Sequence, residues 1–221
     1  LFDNSTKLKN ATMNNDFDSI KHSVENYYSQ KIATYGNVPK GVDWNSLASQ
    51  ELRFVQLLKV VNPLELVSLN DYGCGYGHLY EFMTSKGYHF DYHGYDLSEL
   101  MISRAKELYG SHPNCHFWVG DSYSKVADYT VASGIFNVKL DKSDQEWEEY
   151  VIATLATLNT LSQSGFAFNI LTSYSDQEYM RDDLYYANPC FYFDFCKRHF
   201  SKHVALLHDY GLYEFTILVR K

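Results

Sequence analysis

"LVSLNDYGCGYGHLYEF", residues 66–82, sets three glycines at alternate positions, Gly73, Gly75 and Gly77, directly after an apolar run. Asp71 stands two places before the first of them. The apolar run reads as a buried strand, and the spacing after the glycines as a helix. Glycines between the two permit a tight turn and let a ligand approach the main chain without meeting a Cβ. The order is D-x-G-x-G-x-G, with His78 where the G-x-G-x-x-G of dinucleotide binders would want glycine. Taken alone, the cluster is also compatible with a purely structural strand-to-helix turn.

Outward from this turn, short apolar runs alternate with helical patterns. The spacing predicts strands at 66–71, 90–95, 115–119, 128–132, 165–171, 203–208 and 213–219. Helices are expected near 76–86, 98–109, 143–162 and 189–200. "SDQE" at Ser143 to Glu146 is a capping box, and Asn188-Pro189 is a cap followed by a first-turn proline, which also makes Cys190 a first-turn residue. Strand alternating with helix implies a mostly parallel sheet covered on both faces. Only "DYGL" separates the last two strands, a connection that closes a hairpin but cannot make a parallel crossover. The expected fold class is therefore α/β, seven strands, six parallel and the last antiparallel. Its glycine turn lies at the carboxyl edge, where open α/β sheets bind ligands.

Upstream, helical patterns over 18–35 and 46–61 flank the turn-rich linker "GNVPKGVDWN". Residues 1–16 are polar and lack periodicity, so they read as a mobile leader in which Met13 could be the natural start. The chain divides into that leader, a helical lid over 17–63, and the α/β domain over 64–221.

Composition narrows the classes. Of 221 residues, 45% are hydrophobic and 21% charged, as in an ordinary globular protein, and 17% are aromatic, enough to line a pocket with rings. A formal charge of −8 with no basic run argues against nucleic acid, whose binding needs Lys and Arg on phosphates. No apolar stretch reaches the roughly 18 residues of a membrane span, and no signal-peptide pattern opens the chain. Four cysteines without a C-x-x-C pair fit a reduced, cytoplasmic setting. The nine histidines show no metal-ligand spacing, so no metal is expected.

The strand ends carry the chemistry. The second strand, "FDYHGYD", ends on Asp96, 19 residues past Gly77, where a carboxylate can accept hydrogen bonds from both ribose hydroxyls of a nucleoside. The third, "CHFWVG", leads into Asp121, an acceptor suited to an adenine amino group. Either acid could instead cap a helix. With these residues in place the chain resembles the class I S-adenosylmethionine-dependent methyltransferases, whose fold is Rossmann-like. "LNDYGCGYG" looks like their glycine motif, "HGYDLSELMI" like their acidic second motif and "FWVGDS" like their third, over about residues 64–221. The resemblance implies that Gly73, Gly75 and Gly77 pass beneath the methionine part of the cofactor and that Asp71 faces its amino group. It also implies that Asp96 holds the ribose, with Leu97 and Met101 flanking, and that Asp121 and Ser122 bracket the adenine. Tyr72, Cys74, Gly120 and Ser133 complete the expected cofactor wall. In the lid, Tyr28 and Trp44 are candidates to cover the cofactor, and Arg53 to pair with its carboxylate.

The reaction so implied needs an acceptor atom held in line with a methyl group that is already activated. Positioning supplies on the order of 7–11 kcal/mol of barrier lowering. A general base adds roughly 10²–10⁴-fold where the acceptor must lose a proton. His208 and Asp209, at the end of the sixth strand, are the base candidates. Phe136, after the fourth strand, and Tyr174, Tyr179, Arg181 and Tyr185, in the long loop after the fifth, are candidates for acceptor contact. "SGIF" at 133–136 departs from the N/D-P-P-Y/F of amino methyltransferases acting on nucleic-acid bases or glutamine. The expectation is an enzyme methylating oxygen or nitrogen of a small polar metabolite, as a monomer or homodimer. A catalytically silent cofactor-binding protein, a protein-modifying methyltransferase and a nicotinamide-dependent oxidoreductase are the alternatives.

Overall fold

The computed structural model describes residues 4–42, 46–120 and 125–221, with side chains from Asp16 onward apart from Pro39. The strands are β1 (Val67–Tyr72), β2 (Phe90–Asp96), β3 (Cys115–Val119), β4 (Ala127–Ala132), β5 (Ser162–Leu171), β6 (His203–Leu207) and β7 (Glu214–Arg220). They form one sheet in the order β3-β2-β1-β4-β5-β7-β6. β7 runs antiparallel to both neighbours, so the short "DYGL" connection inserts the last strand between β5 and β6. From β1 the order runs outward to β2 and β3 on one side, while β4 starts the other half. Asp71 sits beside Gly94 of β2 and Val131 of β4. The glycine turn thus lies at the point of strand-order reversal, where the two halves leave a crevice.

The helices are α1 (Asn4–Tyr35), α2 (Leu47–Leu57), α3 (His78–Ser85), α4 (Glu99–Tyr109), α5 (Asp144–Thr160) and α6 (Pro189–His199), with a 3-10 turn extending α2 over Leu58–Val60. Local signals end and begin them. Gly36, at φ +72°, stops α1, and its N–H bonds back to the Ile32 carbonyl at 2.8 Å. The Ser143 hydroxyl accepts from the Glu146 N–H while the Glu146 carboxylate accepts from the Ser143 N–H at 2.9 Å, which is the expected capping box. Asn188 caps α6 ahead of Pro189. α1 begins at Asn4, inside the segment expected as a leader, since neither Gly nor Pro interrupts residues 4–35.

Alternation along the strands separates two cores. Phe166, Phe168 and Ile170 of β5 and Phe215, Ile217 and Val219 of β7 face α5, α6 and the Ile20 region of α1. Ala167 and Leu218 point the other way and join Leu69, Tyr92 and Phe117 beneath α2, α3 and α4. α1 is tied across the carboxyl edge by a 2.7 Å contact between the hydroxyls of Ser29 and Ser98, the cap of α4. Among the described residues no helix is long and apolar enough to cross a membrane.

Candidate functional site

Each glycine of the opening motif has positive φ, +79° at Gly73, +54° at Gly75 and +84° at Gly77, a region that side chains with a Cβ rarely enter. The turn is held by β2: the N–H groups of Gly73 and Cys74 both donate to the Tyr95 carbonyl, at 2.7 and 2.9 Å. The space beside each glycine is taken by the protein itself. A Cβ on Gly73 would lie 2.2 Å from Cγ2 of Ile135, one on Gly75 3.0 Å from Cγ1 of Val42, and one on Gly77 2.9 Å from the Phe117 ring. The motif therefore packs the turn tightly against the loop after β4, the lid linker and β3. Gly73→Ala should destabilise the fold by about 1–3 kcal/mol through strain and overlap, read as a lowered thermal midpoint.

Asp96 is bound on both oxygens: Oδ2 accepts from the Gly75 N–H at 2.8 Å and Oδ1 from the Ser98 N–H at 2.9 Å. It thus links the glycine turn to the start of α4. A carboxylate has about four acceptor sites, so capacity remains for hydroxyls of a ligand. Burial pushes its pKa up to about 6 against those two N–H bonds, with the negative charge of Glu25 adding to the rise. Asp71 is buried and accepts from the Tyr92 hydroxyl at 2.6 Å. Its pKa rises to about 7, chiefly by burial, opposed by the Tyr92 bond and assisted by Asp96. Two carboxyls titrating near neutrality side by side are typical of a functional site.

Both acids face a cleft that encloses about 960 Å³ when its open mouth is included. The glycine turn and the strand tips form its floor, and α1 and α2 its roof, through Val24, Glu25, Tyr28, Gln50 and Phe54. Among the described residues Ser133 Oγ, buried in the cleft lining, has no hydrogen-bond partner, and His78 Nε2 has none closer than the Glu51 carboxylate at 3.7 Å. Spare acceptors on Asp96, the orphaned Ser133 hydroxyl and tyrosine rings suit a polar nucleoside ligand with a hydrophobic face.

The structure brings Asp71, Tyr72, Gly73, Cys74, Gly75, Asp96, Leu97, Met101, Gly120, Ser133 and Tyr28 together in this cleft. Gly77 underpins it as the residue before α3 without lining it. Trp44, Asp121 and Ser122 lie outside the described residues. Sequence reasoning missed Glu25, Tyr76, Tyr95, Ile135 and Tyr150, which also line the wall. Tyr95, one residue before Asp96 at the strand tip, was the one with a readable signal.

Other expectations are corrected. Arg53 does not line the cleft but turns to Glu214, with Nε at 2.8–2.9 Å and Nη2 at 2.7 Å from its carboxylate. Phe136 is fully buried against Phe168, because the chain turns inward after Ile135 and gives its carbonyl to the Trp147 indole at 2.8 Å. Tyr185 is also buried, its hydroxyl 3.0 Å from that of Tyr192. Tyr174 and Tyr179 are exposed outside the cleft, and Arg181 pairs with Asp183 on the surface. His208 and Asp209 are exposed at the end of β6, four strands from β1. At ~4.8 Å per strand that is about 19 Å, beyond direct reach of the glycine turn.

Comparison with known proteins agrees with this geometry. Residues 70–158 match the family described as a methyltransferase domain. "Putative methyltransferase Rv1506c" of Mycobacterium tuberculosis (strain ATCC 25618 / H37Rv) is 53% identical over 164 residues, 74% of this chain and 99% of that protein. The N-methyltransferase NodS from Bradyrhizobium japonicum WM9, solved with S-adenosyl-L-homocysteine, aligns at TM-score 0.61 and 12% identity over 89% of this chain and 97% of its own. Magnesium protoporphyrin IX methyltransferase from Synechocystis PCC 6803, solved with S-adenosylmethionine, aligns at TM-score 0.54 and 16% identity over 79% of each chain. At such identities these two share the fold. With strand order, glycine turn, paired acids and a relative covered almost end to end, the chain belongs to the class I S-adenosylmethionine-dependent methyltransferases.

Proposed function

We propose that the cleft binds S-adenosylmethionine and that the chain transfers its methyl group to an oxygen or nitrogen of a small polar molecule. The observation that carries the reading is Asp96: a carboxylate at the tip of β2, pinned by two main-chain N–H groups, with acceptor capacity turned to a roofed cleft. When bound, the cofactor supplies a methyl group activated on a sulfonium. Asp96 would accept the ribose hydroxyls, Asp71 would face the amino group, and Leu97 and Met101 would pack on the sugar. Asp121 and Ser122 remain the proposed adenine partners and Trp44 a proposed cover. The roof formed by α1 and α2 would exclude water and limit the acceptor to a size that fits beneath it.

Tyr28, Tyr72, Tyr95 and Tyr150 line the cleft, and an aromatic lining would favour a cation. Because His208 and Asp209 stand away from the cleft, proton removal falls to a group that lines it, and Glu25 on the roof is, among the described residues, the lining carboxylate not already assigned to the cofactor. A carboxylate acceptor would need no base at all. The same reading includes no nucleic-acid partner, no membrane partner, a cytoplasmic setting and a monomer or homodimer.

Calorimetric titration with S-adenosylhomocysteine tests the cofactor reading, with nicotinamide dinucleotides as the rival ligand. Binding of the former alone is expected. Release of S-adenosylhomocysteine from S-adenosylmethionine with pooled small metabolites of the source cell then tests transfer. Binding without turnover on a broad panel would favour the silent binding protein, and absence of binding removes the reading.

A further inference from the structure

Glu214, at the start of β7, is fully buried and lies outside the cleft, yet its carboxylate is the centre of a saturated polar network. Oε1 accepts from Nε and Nη2 of Arg53 and, at 3.2 Å, from Nδ2 of Asn137. Oε2 accepts from Arg53 Nε at 2.8 Å and from Nδ2 of Asn169. Arg53 also donates from Nη1 to the Ser49 carbonyl at 2.7 Å, which fixes it along α2. Because the Asn169 amide gives its NH₂ to Glu214, its oxygen faces the other way and accepts the Gly134 N–H at 2.8 Å. Gly134, at φ +74°, holds the bend between Ser133 and Ile135, and Ile135 Cγ2 occupies the space beside Gly73.

These contacts form one chain of partners from roof to floor. α2 lines the cleft through Gln50 and Phe54, with Arg53 anchoring it from the adjoining face. Ser133, Gly134 and Ile135, just past the tip of β4, line the cleft floor. A buried ion pair contributes little net stability compared with apolar packing, so stability alone does not account for placing one here. We propose that Glu214 is a positioning residue that couples the lid helix to the floor segment after β4, acting through Arg53 on one side and Asn169 on the other. Neither Arg53 nor Glu214 lines the cleft. Both set where the cleft walls stand when it binds. The proposal goes beyond the cofactor assignment and rests on it only for the affinity readout.

Two measurements on the full chain test it. In the free protein, Glu214→Gln should raise hydrogen exchange of the Gly134 amide and of α2 at least tenfold relative to core amides of β5 such as Phe168. S-adenosylhomocysteine should bind about tenfold or more weakly, and Arg53→Lys should recover part of the wild-type behaviour that Arg53→Met loses. A merely structural role would lower the thermal midpoint while leaving relative exchange at Gly134 and the affinity below the midpoint unchanged, and that result would overturn the proposal. Should Glu214→Gln fail to fold, the paired replacement Arg53→Met/Glu214→Leu restores an apolar interior. It should still free the Gly134 amide, and wild-type protection there sinks the idea. Wild-type protein that binds no S-adenosylhomocysteine would remove the proposed function but leave the exchange readout to judge the relay.

Discussion

Asp96→Ala is expected to weaken binding of S-adenosylhomocysteine by about 2 kcal/mol or more, roughly 30-fold, measured by calorimetry. Two losses add. The ribose acceptor disappears, and the N–H groups of Gly75 and Ser98 lose the oxygens that now hold them, at 2.8 and 2.9 Å. Asp96→Asn separates the two, since an amide oxygen can still accept from one N–H while the charge is gone. Wild-type affinity should also fall as pH drops through about 6, where the Asp96 carboxylate takes up a proton, and the Asn variant should lack that dependence. Unchanged affinity in a folded Asp96→Ala protein would refute the ribose assignment.

Asp71→Asn should stabilise the ligand-free protein at alkaline pH and leave it unchanged in acid. The pKa of Asp71 rises from 3.8 in the open chain to about 7 in the fold. Below pH 3.8 both states hold the proton, and the group contributes nothing. Between the two values the folded state binds more protons than the unfolded one, so stability falls as pH rises, and above about 7 the full cost of the buried charge is present. At 1.36 kcal/mol per unit this gives on the order of 4 kcal/mol in favour of the Asn variant at pH 8, decreasing to nil near pH 4. The Asn oxygen can keep the bond from the Tyr92 hydroxyl, now 2.6 Å, so the comparison isolates the charge. Denaturant midpoints of both proteins across this range measure it. A constant difference between them would show that Asp71 is not the group titrating. The test should be made as a difference because His93, buried and with its pKa lowered to about 4, acts in the opposite sense in acid. A carboxylate that costs the free fold stability is what a site held ready for a cation would carry.

Much of this cleft was legible along the chain because its signals are local. The glycine turn, the acids at strand ends and the caps at Ser143 and Asn188 each depend on residues within a few positions. Among the described residues the glycine turn, Asp71, Asp96 and both caps fall where that spacing placed them, while Asp121 lies outside those residues. Arg53 and Phe136 misled for one shared reason. Proximity to a motif in sequence fixed their element but not their facing. Arg53 finds its partner 161 positions away on the last strand, and Phe136 turns inward under α5 one residue after the cleft wall ends. His208 misled through topology: it does stand just beyond a carboxyl-running strand, but β7 and two further strands separate β6 from the crevice.

The glycines show the limit most clearly. Their spacing established a tight turn, while only packing reveals that Ile135, Val42 and Phe117 fill the room a Cβ would need. By itself the sequence determined the elements, their polarity and the family, since a period of two, a period of 3.6 and a cap are written in neighbouring residues. Tertiary structure alone decided which walls close the cleft, which acids lose their water, and which charges are spent on one another inside the fold. Those outcomes depend on contacts between segments far apart in the chain, and burial sets the charge of a carboxyl only after the surrounding elements have packed.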